Sequence, residues 1–341
     1  PLANQRGWNN TDVTIALTAE DASGVKEIHY TLTGAEMGEN IVPGNTTQIT
    51  VTTEGITNLT YWAVDNAGNI EPVKSLEIRI DKTPPGIIAS SFPQPNFFSW
   101  NNTNVTISFT ASDNLSGVAS VTEPITVITE GTNQYIEGET VDLSDNRATT
   151  YAIFNIDKTS PAITATSSPL PNSYGWNNTN VTVSFNASDN LSGIQSITSP
   201  ISVTTEGENQ IIQGETLDLA DNRATTYVSL NIDKTPPTVT ITATPNILWP
   251  PNHKMVNISI SGSATDDLSG IASTTFEVDD EYNTDEPVIS GFNTIIQLEA
   301  WRNGNDLDGR RYDISVTAKD KAGNEASNST AVICPHDQRK K

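Results

Sequence analysis

Cysteine, histidine and positive charge are all scarce in this chain of 341 residues. A single cysteine, Cys334, excludes an intrachain disulfide, so no loop is closed covalently. Cys334 follows the last strand pattern and is either a structural residue or a link to another chain. The three histidines, His29, His253 and His336, show no His-x-x-x-His or Cys/His spacing, which excludes the usual zinc ligand sets. Lysine and arginine number 18 against 41 aspartates and glutamates, a formal net charge of −23. Nucleic acid and anionic membrane are not expected as partners, because no basic surface exists to displace phosphate counterions. No run is apolar and long enough for a helical span, so direct membrane insertion is not expected of this segment. Nucleophile elbow and P-loop motifs are missing too, and the expectation is a protein that is not an enzyme.

What is abundant is repetition. Ile-Asp-Lys-Thr-(Pro/Ser)-Pro occurs at Ile80 to Pro85, Ile156 to Pro161 and Ile232 to Pro237, its aspartates 76 residues apart. That period is too long for a solenoid and suits a small β-sandwich. Trp100 to Gly117 returns almost unchanged as Trp176 to Gly193, and Gly138 to Tyr151 as Gly214 to Tyr227. The first and last units keep Asp-x-Ser-Gly (Asp21 to Gly24, Asp267 to Gly270) and Asp-x-Ala-Gly-Asn (Asp65 to Asn69, Asp320 to Asn324). The expected domains are 1–83, 84–159, 160–235 and a longer 236–341, the first without its opening strand. The chain opens inside a repeat, at Gly7-Trp-Asn-Asn-Thr11, and reads as a segment of a larger exported protein. Units of this size bury limited cores and gain from neighbours, metal ions or glycans.

Val105, Ile107 and Phe109 alternate with Thr106, Ser108 and Thr110, and Val181, Val183 and Phe185 alternate likewise. Period-two alternation of β-branched and aromatic residues predicts half-buried strands. No stretch carries an amphipathic helix pattern, so the class is all-β. In the first unit, strands B, C, E, F and G are expected at 12–19, 25–33, 47–53, 59–64 and 75–80. Strand A is expected at 86–91, 162–167 and 238–244 in the later units. The prolines before each A strand fix φ and restrict their predecessors. The fold expected is four tandem immunoglobulin-like β-sandwich domains in an elongated rod.

In such a sandwich the B–C and F–G loops lie at one end, where strand A and the linker feeding it also arrive. Linker and loop aspartates should therefore converge. The groups expected are Asp81 with Asp113 and Asp145, Asp157 with Asp189 and Asp221, and Asp233 with Asp266, Asp267 and Asp320. The first unit offers Asp21 and Asp65. Gathered carboxylates repel unless neutralised, and hard oxygen ligands beside Asn and backbone carbonyls suit Ca²⁺, which takes six to eight oxygens. The competing reading is turn chemistry, each Asp capping its own loop or pairing with the adjacent Lys.

Twelve Asn-x-Ser/Thr sequons occur, at Asn9, Asn45, Asn58, Asn101, Asn104, Asn114, Asn177, Asn180, Asn186, Asn190, Asn257 and Asn328. In an N-glycosylating cell these would carry glycans. Trp8, Trp100 and Trp176 enter strand B and are expected as core lids, whereas Trp249 precedes Pro250-Pro251. Asn303 to Gly309 reads as the E–F turn before a strand.

Trp-Asn-Asn-Thr-Asn-Val-Thr, Ser-Asp-Asn-Leu-Ser-Gly and Ile-Asp-Lys-Thr-Pro-Pro together resemble the tandem immunoglobulin-like repeats of prokaryotic cell-surface and secreted proteins. The resemblance covers residues 1 to 235. The opening Leu248-Trp-Pro-Pro-Asn-His-Lys-Met255 and the ending Pro335-His-Asp-Gln338 resemble another prokaryotic surface module that follows such repeats. The resemblance implies an extracellular or cell-surface location and a structural spacer, with other copies, other surface proteins or glycans as partners. Alternatives are an adhesin binding glycan or protein through the fourth domain and its acidic stretch Asp279 to Glu286, a self-assembling filament or surface-layer subunit, and an accessory region of a secreted hydrolase.

Overall fold

The computed structural model describes residues 1–284 and 286–337. Asp285 of the acidic stretch and residues 338–341 of the last expected domain lie outside them. The described residues are strands, turns and irregular segments, with no helix long and apolar enough to cross a membrane among them. They divide into two compact units, Pro1–Thr159 with Asn190–Gly193 and Leu219–Asn222, and Ser160–Asp189 with Ile194–Asp218 and Arg223–Lys341.

Tandem β-sandwiches build the chain. The first has Val13–Thr18 (β1), Val25–Gly34 (β2), Gly38–Pro43 (β3), Thr46–Val51 (β4), Gly55–Asp65 (β5) and Lys74–Ile80 (β6). Its sheets are β1-β4 and β3-β2-β5-β6. Strand β3 is an addition to the sequence expectation, and five of its six residues are exposed, so it carries no alternation to find. The second has Gly86–Phe92 (β7), Val105–Ser112 (β8), Val118–Val121 (β9), Ile125–Val127 (β10), Gly131–Asp142 (β11) and Arg147–Ile156 (β12). Its sheets are β7-β8-β10 and β9-β11-β12, the A-B-E and C-F-G layers of an immunoglobulin-like sandwich.

The third repeats that plan with Ala162–Ser168 (β13), Val181–Ser188 (β14), Ile194–Ile197 (β15), Ile201–Val203 (β16), Gly207–Asp218 (β17) and Arg223–Ile232 (β18). The fourth uses Thr238–Thr244 (β19), Lys254–Thr265 (β20), Ile271–Asp280 (β21), Thr294–Ala300 (β22), Arg310–Asp320 (β23) and Glu325–Cys334 (β24). Its extra length is spent between β21 and β22 and on the turn before β23, the expected E–F turn.

The alternation is what closes each sandwich. On β8, Val105, Ile107 and Phe109 are buried while Thr106, Ser108 and Thr110 point outward. Each buried side chain of this size contributes roughly 1.5–3 kcal/mol. A separate buried cluster lies between the sheets of each sandwich, from Val13–Ile80 in the first to Val239–Cys334 in the fourth. Trp8, Trp100 and Trp176 are buried at the entrance to strand B, and Trp249 is 40% exposed. Cys334 ends β24 fully buried, and that burial pushes its thiol pKa up. It is a core residue of the fourth sandwich, and no face of it is open to link another chain.

Glycine inside a strand normally weakens it. Gly138 on β11 has a specific reason to be there: a Cβ would come within 2.4 Å of the Phe109 ring, and one on Gly214 within 2.2 Å of Phe185. Gly138→Ala should therefore destabilise the second sandwich by about 1–3 kcal/mol through overpacking. Denaturant unfolding would check it, and adding Phe109→Leu should recover part of the loss.

Candidate metal centre

The linker after β6 begins at Asp81, which is fully buried. Its N–H donates to the carbonyl of Asn9 (2.9 Å), continuing the bridge between Asn9 and Ile80. The direction of its carboxylate is fixed from the next sandwich. Asp81 Oδ2 accepts from Ser116 N (2.9 Å) and Oδ1 from Thr83 N (3.1 Å). Asp113, just past β8, accepts from the N–H groups of Leu115 (3.0 Å) and Gly117 (2.6 Å) through Oδ1 alone. That turn needs Gly117 at φ +93°, and Gly24, Gly193 and Gly270 hold equivalent positive-φ positions.

Asp142 closes β11, also fully buried. Its Oδ1 accepts from Ser144 N (2.8 Å), Ser144 Oγ (3.1 Å) and Asn146 N (2.8 Å), and Oδ2 accepts from Asn146 Nδ2 (2.7 Å). Asn146 Nδ2 and Ser144 Oγ also reach the carbonyl of Asp81, at 2.8 and 3.0 Å. One carboxylate oxygen from each of Asp81, Asp113 and Asp142 lies within 4.8 Å of the others.

The second unit builds the same arrangement from Asp233, Asp266 and Asp320, again within 4.8 Å. Asp233 Oδ2 accepts from Ser269 N (3.1 Å), Asp266 Oδ1 from Gly270 N (2.6 Å), and Asp320 Oδ1 from Asn324 N (2.8 Å). Asn324 Nδ2 donates to the Asp233 carbonyl at 2.9 Å. A cleft of about 260 Å³, lined in part by Glu206, Asp233, Thr235 and Asp266, opens beside this group. In the first unit Asp157 repeats the linker geometry, accepting from Ser192 N (3.0 Å) and from Asn222 Nδ2 (2.9 Å). Asp189 and Asp218, the counterparts of Asp113 and Asp142 by the 76-residue period, belong to the second unit.

Among the described side chains, no cation pairs with Asp81, Asp113, Asp142, Asp233, Asp266 or Asp320. The adjacent lysines turn away: Lys82 Nζ goes to Asp12 and the Thr52 carbonyl, Lys234 Nζ to Asn180 and the Thr204 carbonyl. Pairing of each linker Asp with its neighbouring Lys is thereby excluded at Asp81 and Asp233. What remains is three carboxylates, two of them fully buried, held by neutral N–H and O–H donors. Burial without a counter-charge costs several kcal/mol per ion. The donor set fits Ca²⁺: hard carboxylate oxygens and carbonyls, without nitrogen or sulfur ligands.

Two sequence expectations are corrected in detail. Asp142, not Asp145, is the F–G aspartate of the first group; Asp145 is exposed and accepts from Asn4 Nδ2 (2.8 Å) and Arg6 Nη1 (3.1 Å). Asp145 and Asp221 sit at φ +71° and +68°, where the first and fourth sandwiches have Gly68 and Gly323, so they are turn residues. Asp221 accepts from Asn96 Nδ2 at 2.7 Å. Aligning Asp65-x-x-Gly-Asn69 and Asp320-x-x-Gly-Asn324 on the second sandwich would have pointed to Asp142. Asp267 stands outside the group that Asp266 joins. In the first sandwich Asp21 and Asp65 make the same turns, and the Asn69 amide holds the Asp65 carboxyl below its usual range. Three sequons are corrected as well. Asn9, Asn101 and Asn177 are buried, each with Oδ1 unpartnered, and leave no room for a glycan; the other nine lie on the surface.

Sequence reasoning missed the asparagines that clasp successive sandwiches. Asn172 Oδ1 accepts from Tyr174 N (2.9 Å) and Trp176 N (3.2 Å), while Nδ2 donates to the carbonyls of Lys321 (2.8 Å) and Ala322 (3.1 Å) in the loop of Asp320. Asn4 serves Leu143 and Asp145 in the same way, and Asn96 serves Leu219 and Asp221. Asn172→Asp keeps the acceptor but sets a carboxylate against two carbonyls. It should cost about 1–3 kcal/mol and speed amide exchange in residues 320–324, whereas Asn172→Ser should be milder.

No protein-family model and no curated protein sequence matches the chain. Among solved structures, the tetra-tandem repeat in the extending region of a large adhesion protein is 13% identical, over 96% of this chain and 97% of that one, with a TM-score of 0.33. The protocadherin GammaB4 extracellular domain is 13% identical over 95% of this chain and 63% of its own length, with a TM-score of 0.38. The fibronectin(III)-like modules of Clostridium thermocellum CbhA are 20% identical over 46% of this chain and 90% of theirs, with a TM-score of 0.24.

Proposed function

We propose that this chain is a non-enzymatic, extracellular spacer region of a cell-surface protein, in which Ca²⁺ bound by linker and loop aspartates fixes one sandwich on the next. The observation that carries the reading is the uncompensated trio of Asp81, Asp113 and Asp142, two of them fully buried, matched by Asp233, Asp266 and Asp320. Each trio takes its linker Asp from one sandwich and its loop Asp residues from the following one. A divalent cation bound there supplies the missing positive charge, and its loss leaves like charges that push linker and loops apart. Mg²⁺ suits the site less well, since it demands a tight octahedron and keeps its waters. Exposed sequons such as Asn45, Asn114 and Asn257 are glycan attachment points under this reading.

Small-angle scattering in Ca²⁺ and then in excess chelator tests the mechanical part. The expected result is a Ca²⁺-dependent loss of flexibility, with a sharper distance distribution. Superimposable curves under the two conditions would overturn it.

A further inference from the structure

The surface sequons are not equivalent. Glycan transfer needs the Asn amide and the hydroxyl residue two places on presented together to one enzyme. Asn114-Leu115-Ser116 and Asn190-Leu191-Ser192 hold the Asn outside and the Ser inside. Asn114 and Asn190 are exposed, while Ser116 is 8% and Ser192 7% exposed. In the remaining surface sequons the third residue is exposed or half-buried. The cause is the linker aspartate. Ser116 N donates to Asp81 Oδ2 at 2.9 Å, and Ser192 N to Asp157 Oδ2 at 3.0 Å. Ser116 Oγ lies 3.3 Å from Ser144 Oγ, inside the same junction.

We infer that Asn114 and Asn190 are glycan acceptors only until the linker aspartate closes on their loop, so that their occupancy is set by the order of modification and folding. In the transfer, Asn Nδ2 bonds to the anomeric carbon of a lipid-phosphate-linked sugar. The bond from that carbon to the phosphate oxygen breaks, the phosphate leaves with the bonding pair, and the amide gives up one proton. The enzyme must hold the hydroxyl residue throughout. In the folded sandwich the N–H of Ser116 is spent on Asp81 and its side chain is enclosed, so transfer waits for local opening of the loop. A glycan attached earlier is tolerated, because the Asn itself stays in water when the loop closes. The fourth sandwich supplies an internal check. Its loop reads Asp266-Asp267-Leu268-Ser269, with Ser269 5% exposed and its N–H on Asp233 Oδ2. Asp267→Asn writes the same sequon at an exposed position outside the aspartate trio.

The test supplies a single-subunit oligosaccharyltransferase and its lipid-linked oligosaccharide to the Asp267→Asn chain, either during cell-free synthesis or after folding in Ca²⁺. Site occupancy is read by mass spectrometry, with Asn45, exposed in the turn between β3 and β4, as the reference. Enzyme present during synthesis should fill Asn45, Asn114, Asn190 and the site made by Asp267→Asn. After folding, Asn45 should still fill, and the other three should fill about tenfold more slowly or less. Equal rates at Asn45 and Asn114 in the folded chain would overturn the inference. So would Asn114 and Asn190 left empty in both samples. The inference rests on the glycan reading, and Asn45 empty in both samples would overturn the two together. Omitting Ca²⁺, with only the Mg²⁺ that the enzyme uses, should speed the slow sites relative to Asn45. That arm alone rests on the Ca²⁺ reading; slow sites indifferent to Ca²⁺ would support occlusion by the fold and overturn the metal's part in it.

Discussion

Ca²⁺ at one hundred times its dissociation constant should raise the stability of a sandwich bordering an aspartate trio by about 2.7 kcal/mol. For domains of this size each kcal/mol moves the midpoint by about 4–8 °C, so scanning calorimetry in Ca²⁺ and in chelator should differ by more than 10 °C at the affected transitions. The effect is large because the apo state keeps three carboxylates within 4.8 Å of one another, with Asp81 and Asp142 fully buried. Asp142→Asn should abolish the shift at its junction while keeping an acceptor for Ser144 N and Asn146 N. Asp145→Asn should leave it intact, since Asp145 faces Asn4 and Arg6. A shift lost in Asp145→Asn and kept in Asp142→Asn would reverse the assignment.

Arg310→Met should cost the fourth sandwich about 3–5 kcal/mol, the penalty for leaving a buried charge unpaired. Both members of its pair have fully buried side chains. Arg310 Nε and Nη2 meet Asp280 Oδ1 (2.8 Å) and Oδ2 (2.6 Å), and Nη2 also reaches Thr284 Oγ1 (2.7 Å). The guanidinium lies 4.6 Å from the Tyr312 ring centroid, 5.0 Å from Tyr282 and 5.7 Å from Trp301. This cluster pins the longer connection after β21 to the sheet, which is why Asp280 belongs to the core and not to an acidic binding face. Arg147→Met is the control, because the Arg147–Glu139 pair is exposed at 63% and 45% and pairs of that kind are worth about 0–1 kcal/mol. Arg310→Met with Asp280→Leu should recover part of the loss. A single Arg310→Met variant as stable as the parent would remove the buried pair from the account.

The sandwich class was legible because alternation such as Val105-x-Ile107-x-Phe109 needs only local information, and the 76-residue period identifies the linker aspartates. Strand β3 was not legible, since its residues face water and nothing selects them. Asp113 and Asp266 could be read from Asp-x-x-Ser-Gly, a turn with its own requirement for positive φ. Asp142 was obscured by Asp145, which looks like a ligand but fills a position needing left-handed backbone. The direction of Lys82 and the bond from Asn146 to the Asp81 carbonyl depend on packing between sandwiches, which no local pattern encodes.

The central claim is that the carboxylates of the two trios are ligands. Calorimetric titration of Ca²⁺ into metal-free chain, repeated for Asp113→Ala and Asp266→Ala, tests it most directly. Both residues are half-buried, and each spends one oxygen on its own turn, so neither variant should unfold the chain. The expected result is saturable Ca²⁺ binding whose stoichiometry falls by one site in each variant and by two in the double variant. Stoichiometry unchanged by either substitution, or no saturable heat at all, would contradict it.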